Sequence, residues 1–410
     1  TVFTTHTPVP AGNDTFPASL METYFADYRE ALGIDSQTFL SLGQADSTGT
    51  FNMSVLAMKL AGERCAVSEL HGKVARRMWH GLWPDLAEDQ VPITHITNGI
   101  HVPSWVASEV FQFLAKYLGS DWIQRHDDPG LWQAVLEIPD EALWTLHNYL
   151  KDRLLAMMRE SVRSRWLDDK ISPAQMLARG VLHNPDTLTI AFARRFAEYK
   201  RSTLVFQDTE RLKRILNNRW QPVQIIFAGK SHPADFPSKY LLRQVYSLAA
   251  DPQFQGRIAF AEDYGMHLAH YLVQGVDVWL NTPRRLQEAS GTSGMKAALN
   301  GVLHLSVRDG WWQEGYNGKN GWAIGDGPEN PQPEVEDRAD AEALYKLLEE
   351  TIVPLYYDRD QSGIPHGWVK MIKEAMRSIV PNFCTHRMLK EYAARLYKIP
   401  ALQPETSIKP

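Results

Sequence analysis

The feature that most constrains the fold is an alternation of patterns in the middle of the chain. Five short apolar runs, "LTIAFA" (188–193), "VQIIFA" (223–228), "RIAFAE" (257–262), "VDVWLN" (276–281) and "GVLHLS" (301–306), have strand length and are bounded by turn residues. Between them lie stretches of helical periodicity at 202–218, 238–250 and 265–275. Strands alternating with helices predict α/β architecture: a doubly wound, Rossmann-like parallel sheet built from right-handed crossovers, with helices on both faces. Before this block, residues 51–80 and 141–167 read as helical, and 338–398 reads as further helices, "ADAEALYKLLEETIV" being the plainest. The acidic, proline-rich "GDGPENPQPEVED" (325–337) reads as a surface loop.

Composition narrows the function classes. At 410 residues and 44% hydrophobic, the chain buries a large core and has the length of two or three domains. Its 43 Lys+Arg against 48 Asp+Glu leave a formal charge of -5, which gives no global reason to expect nucleic acid or an anionic membrane as partner. Any anion site must therefore be local. Two cysteines, Cys65 and Cys384, are too few for a disulfide framework, and no apolar run reaches the roughly 18 residues of a membrane span. A reducing, cytoplasmic location is the resulting expectation. The chain opens on "TVFTTHTPVPAG" without an initiator Met, which reads as a stretch from inside a larger protein.

Open α/β sheets bind ligands outside the carboxyl ends of their strands, so those ends matter most. After "LTIAFA" comes "RRFAEYKR", with Arg194, Arg195, Lys200 and Arg201 at a strand end and at the expected start of a helix. Helix N-terminal N–H groups together with cationic side chains would make a phosphate site; a solvated basic helix start is the alternative. After "VDVWLN", the stretch "EASGTSGMKAALNG" (288–301) puts five Gly or Ser residues within twelve positions around Lys296. That backbone freedom costs roughly 0.5–1 kcal/mol per glycine in a regular element, and exposed N–H groups and hydroxyls there could serve a second anion. Other motifs fail. "AGKS" (228–231) lacks the first glycine of a P-loop, since residue 224 is Gln; "SGMK" has no accompanying "SDN" or "KTG"; and "HLAH" (267–270) has the wrong spacing for a metal.

Taken together, "EASGTSGMKAALNG", "RRFAEYKR", "HITNGIHVPSW" (95–105) and "TTHTPVP" (4–10) resemble the glycogen and α-glucan phosphorylase family, which includes the maltodextrin and starch phosphorylases. The four blocks occur in the family's order from residue 1 to about 310; 106–180 and 311–410 resemble it less plainly. "NTPRRLQEASGTSGMK" is also similar to the donor-site stretch of glycogen and starch synthases, which share the two-domain, GT-B-type glycosyltransferase fold. A synthase holds a nucleotide sugar, whereas a phosphorylase needs an internal lysine and room for two phosphates, and Lys296 fits the latter. A nucleotide-sugar-dependent glucosyltransferase and an inactive glucan-binding fragment stay as alternatives. The resemblance implies that residues 1–97 are the remnant of an N-terminal glycosyltransferase domain. Residues 98–380 would be the C-terminal α/β domain with the cofactor and phosphate sites, and 381–410 a C-terminal helix and tail.

It also implies roles for individual residues. Lys296 would carry pyridoxal 5'-phosphate as a Schiff base, with Thr292 near the cofactor phosphate, Arg194 beside it, and Trp105 and Tyr264 flanking the ring. Arg195 and Lys200 would bind the substrate phosphate and, with Lys296, form the catalytic set. Glu288, Ser290 and Gly291 would hydrogen-bond the glucosyl hydroxyls, and Asn98 and His6 would meet its 6-hydroxyl side. The implied reaction is reversible phosphorolysis of α-1,4-glucan ends by inorganic phosphate to glucose 1-phosphate, with retention of configuration and no metal. Two phosphates 4 Å apart repel by roughly 4 kcal/mol per pair of unit charges at an effective dielectric near 20, which the basic cluster would offset. Nucleic acid and membrane are not expected partners, and a homo-oligomer is left open. As a fragment, the chain is expected to keep cofactor or phosphate binding but to catalyse far more slowly than one extended at its N-terminus. No motif assigns a role to the Gly- and Trp-rich stretch 309–325.

Overall fold

The five strands legible as apolar runs, joined by a sixth, form one all-parallel sheet in the computed structural model, which describes residues 1–9, 12–45, 49–167, 171–325, 327 and 332–398. In chain order the strands are β1 (Val2–Thr4), β2 (Thr15–Pro17), β3 (Thr50–Asn52), β4 (Glu63–Ala66), β5 (Thr94–His95) and β6 (Leu188–Ala193), followed by β7 (Val223–Ala228), β8 (Ile258–Ala261), β9 (Val278–Asn281), β10 (Leu303–Val307) and β11 (Gly321–Ile324). The main sheet runs β11-β10-β9-β6-β7-β8. Every residue of β6 through β10 is buried. Successive residues of one strand serve opposite faces: Ile190 and Phe192 join the larger apolar core, Ala191 and Ala193 the smaller one across the sheet. Helices Asp140–Leu167, Met266–Gly275 and Phe236–Ala249 cover these faces, so the doubly wound α/β fold holds.

The strand order fixes where a ligand can sit. β6 pairs with β7 on one side (Leu188↔Val223) and with β9 on the other (Ile190↔Val278). The chain winds outward from β6 to β8, then returns to β9 and winds the opposite way. Neighbouring loops leave the carboxyl ends of β6 and β9 in opposite directions, opening a crevice between them.

Several expectations need correction. Residues 51–80 are not one helical block: β3, helix Met53–Leu60, β4 and helix Glu69–Trp79 share it. Asn52 caps the first helix by accepting from Ser54 N at 2.8 Å, Ala61 turns extended, and Ser68 caps the second by accepting from His71 N at 3.1 Å. In 202–218 only Thr209–Leu216 is α-helical, because the Asp208 carboxylate accepts from Arg211 N at 2.9 Å and starts the helix there. β11 lies in the Gly- and Trp-rich stretch and was not foreseen; Trp322 and Ile324 are buried in its register with β10. Helix Pro333–Leu347 begins inside the stretch read as loop, of which 326 and 328–331 lie outside the described residues.

A second, three-stranded parallel sheet, β1-β4-β5, precedes the main one. Helix Thr385–Glu391 and the turn Tyr392–Tyr397 return to it: Tyr392 Oη meets Thr4 Oγ1 at 3.2 Å, and Arg387 Nη2 donates to Thr97 O at 2.7 Å. Residues 399–410 of the expected tail lie outside the described residues. Among the described residues no helix is long and apolar enough to cross a membrane.

Candidate active site at the switch point of the sheet

Arg194 is the first residue beyond β6. Its N–H continues the sheet by donating to Ala228 O at 3.1 Å, which leaves the side chain at the crevice, buried. Nη2 donates to Glu288 Oε2, while Nε and Nη1 have no partner among the described residues. A buried guanidinium with two open donors is costly unless something accepts from them. Lys200 Nζ lies 3.4 Å from the same Glu288 oxygen and 5.0 Å from the centre of the Tyr199 ring. Burial, reinforced by the nearby Arg194 guanidinium, pushes the Lys200 ammonium down to about 7. For Glu288, burial acts in the opposite sense, but the charges of Arg194 and Lys200 win and hold its carboxyl below the ordinary range. Arg195 is exposed and makes no ion pair among the described residues.

The fourth cation of "RRFAEYKR" does not belong here. Arg201 takes a left-handed conformation (φ 47°) that turns it away, to Asp340 Oδ2 at 2.7 Å, Asp337 Oδ1 at 2.9 Å and the carbonyls of Thr282 and Pro283. Nor does a helix start at Arg194: the segment runs on as loop to the short 3-10 turn Glu198–Lys200, so the site has side-chain cations here and no helix N-terminus.

Lys296 is the fourth residue of the seven-residue helix Ser293–Leu299, half-buried. Its Nζ sits 3.8 Å from the centre of the Trp105 ring and has no hydrogen-bond or ion-pair partner among the described residues. Burial lowers its pKa. Trp105 is itself fixed, since its carbonyl accepts from Asn300 Nδ2 at 2.9 Å while Asn300 Oδ1 accepts from Ala107 N at 2.8 Å, and the His270 ring meets it edge-on at 4.6 Å. His270 was read only as part of the rejected "HLAH" and Asn300 only as part of the small-residue stretch, because no motif marks a residue that acts by holding another.

The remaining candidates divide. Tyr264 is half-buried and donates to Ala193 O at 3.3 Å, at the end of β6 beside Arg194. Thr292 precedes the Lys296 helix and makes no side-chain capping bond. Gly291 takes φ +71° in the turn, with only ordinary contacts around an added Cβ. Ser290 is buried, its Oγ donating to Gly291 O at 3.1 Å, and its carbonyl accepts from Trp311 N at 2.9 Å. Asn98 hangs from the end of β5 by its N–H, which donates to Val67 O at 3.0 Å. His6 is exposed after β1 and shares no hydrogen bond or ring contact with the cluster among the described residues. The two sheets meet beside the turn: Ser68 Oγ donates to Ala289 O at 2.5 Å, and Thr97 Oγ1 to Glu314 Oε1 at 2.8 Å.

A family model for carbohydrate phosphorylases matches residues 18–314. The chain belongs to the carbohydrate phosphorylase family. Its similarity to individual phosphorylases is extensive. It is 47% identical over 401 residues to a glycogen phosphorylase of Aquifex aeolicus, covering 97% of this chain and 57% of that protein. It is 45% identical over 397 residues to a maltodextrin phosphorylase of Thermococcus litoralis, covering 97% and 46%. A glycogen phosphorylase of Mycobacterium bovis is 41% identical over 409 residues, covering 98% and 47%. The chain thus spans about half the length of the phosphorylases it matches. The match places the chain with the carbohydrate phosphorylases, although its donor-site stretch is also similar to that of the synthases.

The residues present also fit the phosphorylated cofactor that the resemblance implies. An amine held without an acidic partner over an indole ring can add to a carbonyl, and the open Nε and Nη1 of Arg194 suit phosphate oxygens.

Proposed function

We propose that the protein is an α-glucan phosphorylase that cleaves α-1,4-linked chain ends with inorganic phosphate to release glucose 1-phosphate, and that pyridoxal 5'-phosphate is its cofactor. One observation carries the reading: Arg194, buried with two open donors, is tied through Glu288 to the turn that leads into Lys296. The names of the matched glycogen and maltodextrin phosphorylases support the substrate class.

Lys296 would hold the cofactor, with Trp105 and Tyr264 beside its ring and Arg194 and Thr292 toward its phosphate. Bound there, the group supplies a second phosphate able to give and take a proton. Arg195 and Lys200 would bind the substrate phosphate, and with Arg194 they offset a repulsion of roughly 4 kcal/mol per pair of unit charges at 4 Å. The glycosidic oxygen receives a proton from the substrate phosphate as its bond to C1 breaks, and a phosphate oxygen then bonds to C1 on the same face. Glu288, kept ionised by its two cations, can accept from a glucosyl hydroxyl, and Ser290 and Gly291 line the same turn. Asn98 and His6 would approach from the smaller sheet. In this reading residues 1–97 belong to the first glycosyltransferase domain, 98–380 to the second, and the described residues from 381 to 398 form the closing helical segment.

Borohydride reduction of the holoprotein followed by mass spectrometry is the test. The expected result is a pyridoxyl adduct on Lys296 in the wild type and none in Lys296→Ala, with glucose 1-phosphate formed from maltodextrin and phosphate only by the labelled protein. An adduct that persists in the variant, or a labelled chain extended at its N-terminus that forms no glucose 1-phosphate, overturns the reading.

A further inference from the structure

Asp309 follows β10 in the stretch that no motif explained. It is buried, and its carboxylate is surrounded by backbone. Oδ2 accepts from Glu288 N at 2.9 Å and Gln287 N at 3.2 Å, Oδ1 accepts from Gly310 N at 2.8 Å, and the Leu286 amide favours its charged form as well. Successive N–H groups converging on one anion form a nest, and such a nest requires unusual backbone. Leu286 supplies it with φ 66°, a conformation disfavoured for a bulky side chain that persists only where surroundings over-determine it. Gly310 completes the clamp at φ +53°, so close that an added Cβ would lie 2.3 Å from Ser290 O.

We propose that Asp309 is a positioning residue that sets the placement of Glu288: its carboxylate fills the nest formed by residues 286–288 and holds the turn in the arrangement that presents the Glu288 carboxylate to Arg194 and Lys200. The proposal deepens the phosphorylase reading and rests on it for its kinetic part. Its geometric part stands on the hydrogen bonds alone.

The clamp is also sensitive to pH. Burial pushes the Asp309 carboxyl up to about 7 against the pull of its N–H donors, and the Glu288 charge adds to the rise. The titratable groups facing it are Glu288 on the turn after β9 and Tyr199 on the short turn after β6, with Arg194 and Lys200 reaching it through Glu288. Below about 7 the nest therefore loses its anion.

The isosteric variant Asp309→Asn tests this, with Asp309→Ala as a second variant and thermal denaturation as the control for folding. In the wild type, the amide resonances of Gln287 and Glu288 should titrate together near pH 7; in Asp309→Asn they should be shifted, and in Asp309→Asn/Lys200→Met, which also removes the other group titrating near 7 beside Glu288, they should be insensitive to pH. The kcat of phosphorolysis by the holoprotein should fall by about 10- to 100-fold in Asp309→Asn, the scale of a misplaced reacting group, with KM for phosphate little changed. Wild-type amide shifts and kcat in Asp309→Asn would overturn the proposal. So would a fall in kcat with the Glu288 amide unmoved, which would make Asp309 merely structural. Should the chain extended at its N-terminus show no phosphorolysis, the functional reading fails, and the amide titration still tests Asp309.

Discussion

Lys200 and Arg195 stand five positions apart in one basic run, yet burial separates their chemistry. Lys200 is buried against Arg194 and its ammonium falls to about 7, whereas Arg195 stays exposed. At pH 8 Lys200 is therefore mostly neutral before phosphate arrives, and a bound dianion favours its protonated form. Phosphate binding at pH 8 should take up protons, measured by calorimetry in buffers of different ionisation enthalpy, and Lys200→Met should remove most of that uptake. Equal uptake in the variant would place the titrating group elsewhere. Local sequence revealed a cationic cluster at a strand end but not which of its members turn inward. Arg201 joins an acidic patch on helix Pro333–Leu347, through a left-handed conformation that no periodicity announces.

At the scale of elements, the glycines of "EASGTSGMK" divide by purpose. Gly291 provides a left-handed turn, but Gly294 is small for packing: an added Cβ would lie 2.6 Å from the His304 ring. That ring cannot yield easily, being buried, stacked on Trp311 at 5.4 Å and edge-on to Trp312 at 4.8 Å. Gly294→Ala should lower the free energy of unfolding by about 1–3 kcal/mol, the usual cost of overpacking, as read from urea denaturation. An unchanged midpoint would mean that His304 moves freely. The strands of the main sheet were legible because burial on both faces demands unbroken apolar runs. β11 was not, because Gly and Asn crowd its approaches, and 51–80 was misread because two short capped helices and a strand blur into one mixed pattern.

For the whole molecule, the amino ends of the central strands carry a buried charge network opposite the site. Lys151 Nζ donates to Asp277 Oδ2 at 2.6 Å, Thr187 O at 2.7 Å and Tyr356 Oη at 2.9 Å, and His147 Nε2 meets Asp277 Oδ1 at 2.7 Å. These residues join helix Asp140–Leu167 to β6 and β9, the two strands that flank the crevice. Burial would raise the Asp277 carboxyl, but Lys151 and His147 hold it below its ordinary range. Its contribution to stability is thus present above the unfolded carboxylate pKa, about 4, and is lost as pH falls through the lower folded value. Lys151→Met should cost about 3–5 kcal/mol in denaturant titration by stranding Asp277, with the double variant Lys151→Met/Asp277→Leu recovering part of the loss. A double variant no more stable than the single one would show that packing, not charge, sets the cost.

Local order and the candidate chemistry were both readable from residues close together in the chain. Strand length, helical period and small-residue turns fixed the parallel α/β sheet and the loops at its carboxyl ends, while the resemblance of the quoted blocks to the phosphorylases singled out Lys296 as the candidate reactive amine. Partnership was another matter. Arg194 and Glu288 are 94 positions apart, Ser68 and Ala289 are 221 apart, and the Asp309 clamp joins the loops of two different strands. Hydrogen bonds and desolvation depend on distances of a few ångströms in space, and only the crossing of β6 and β9 at the switch point brings these groups that close.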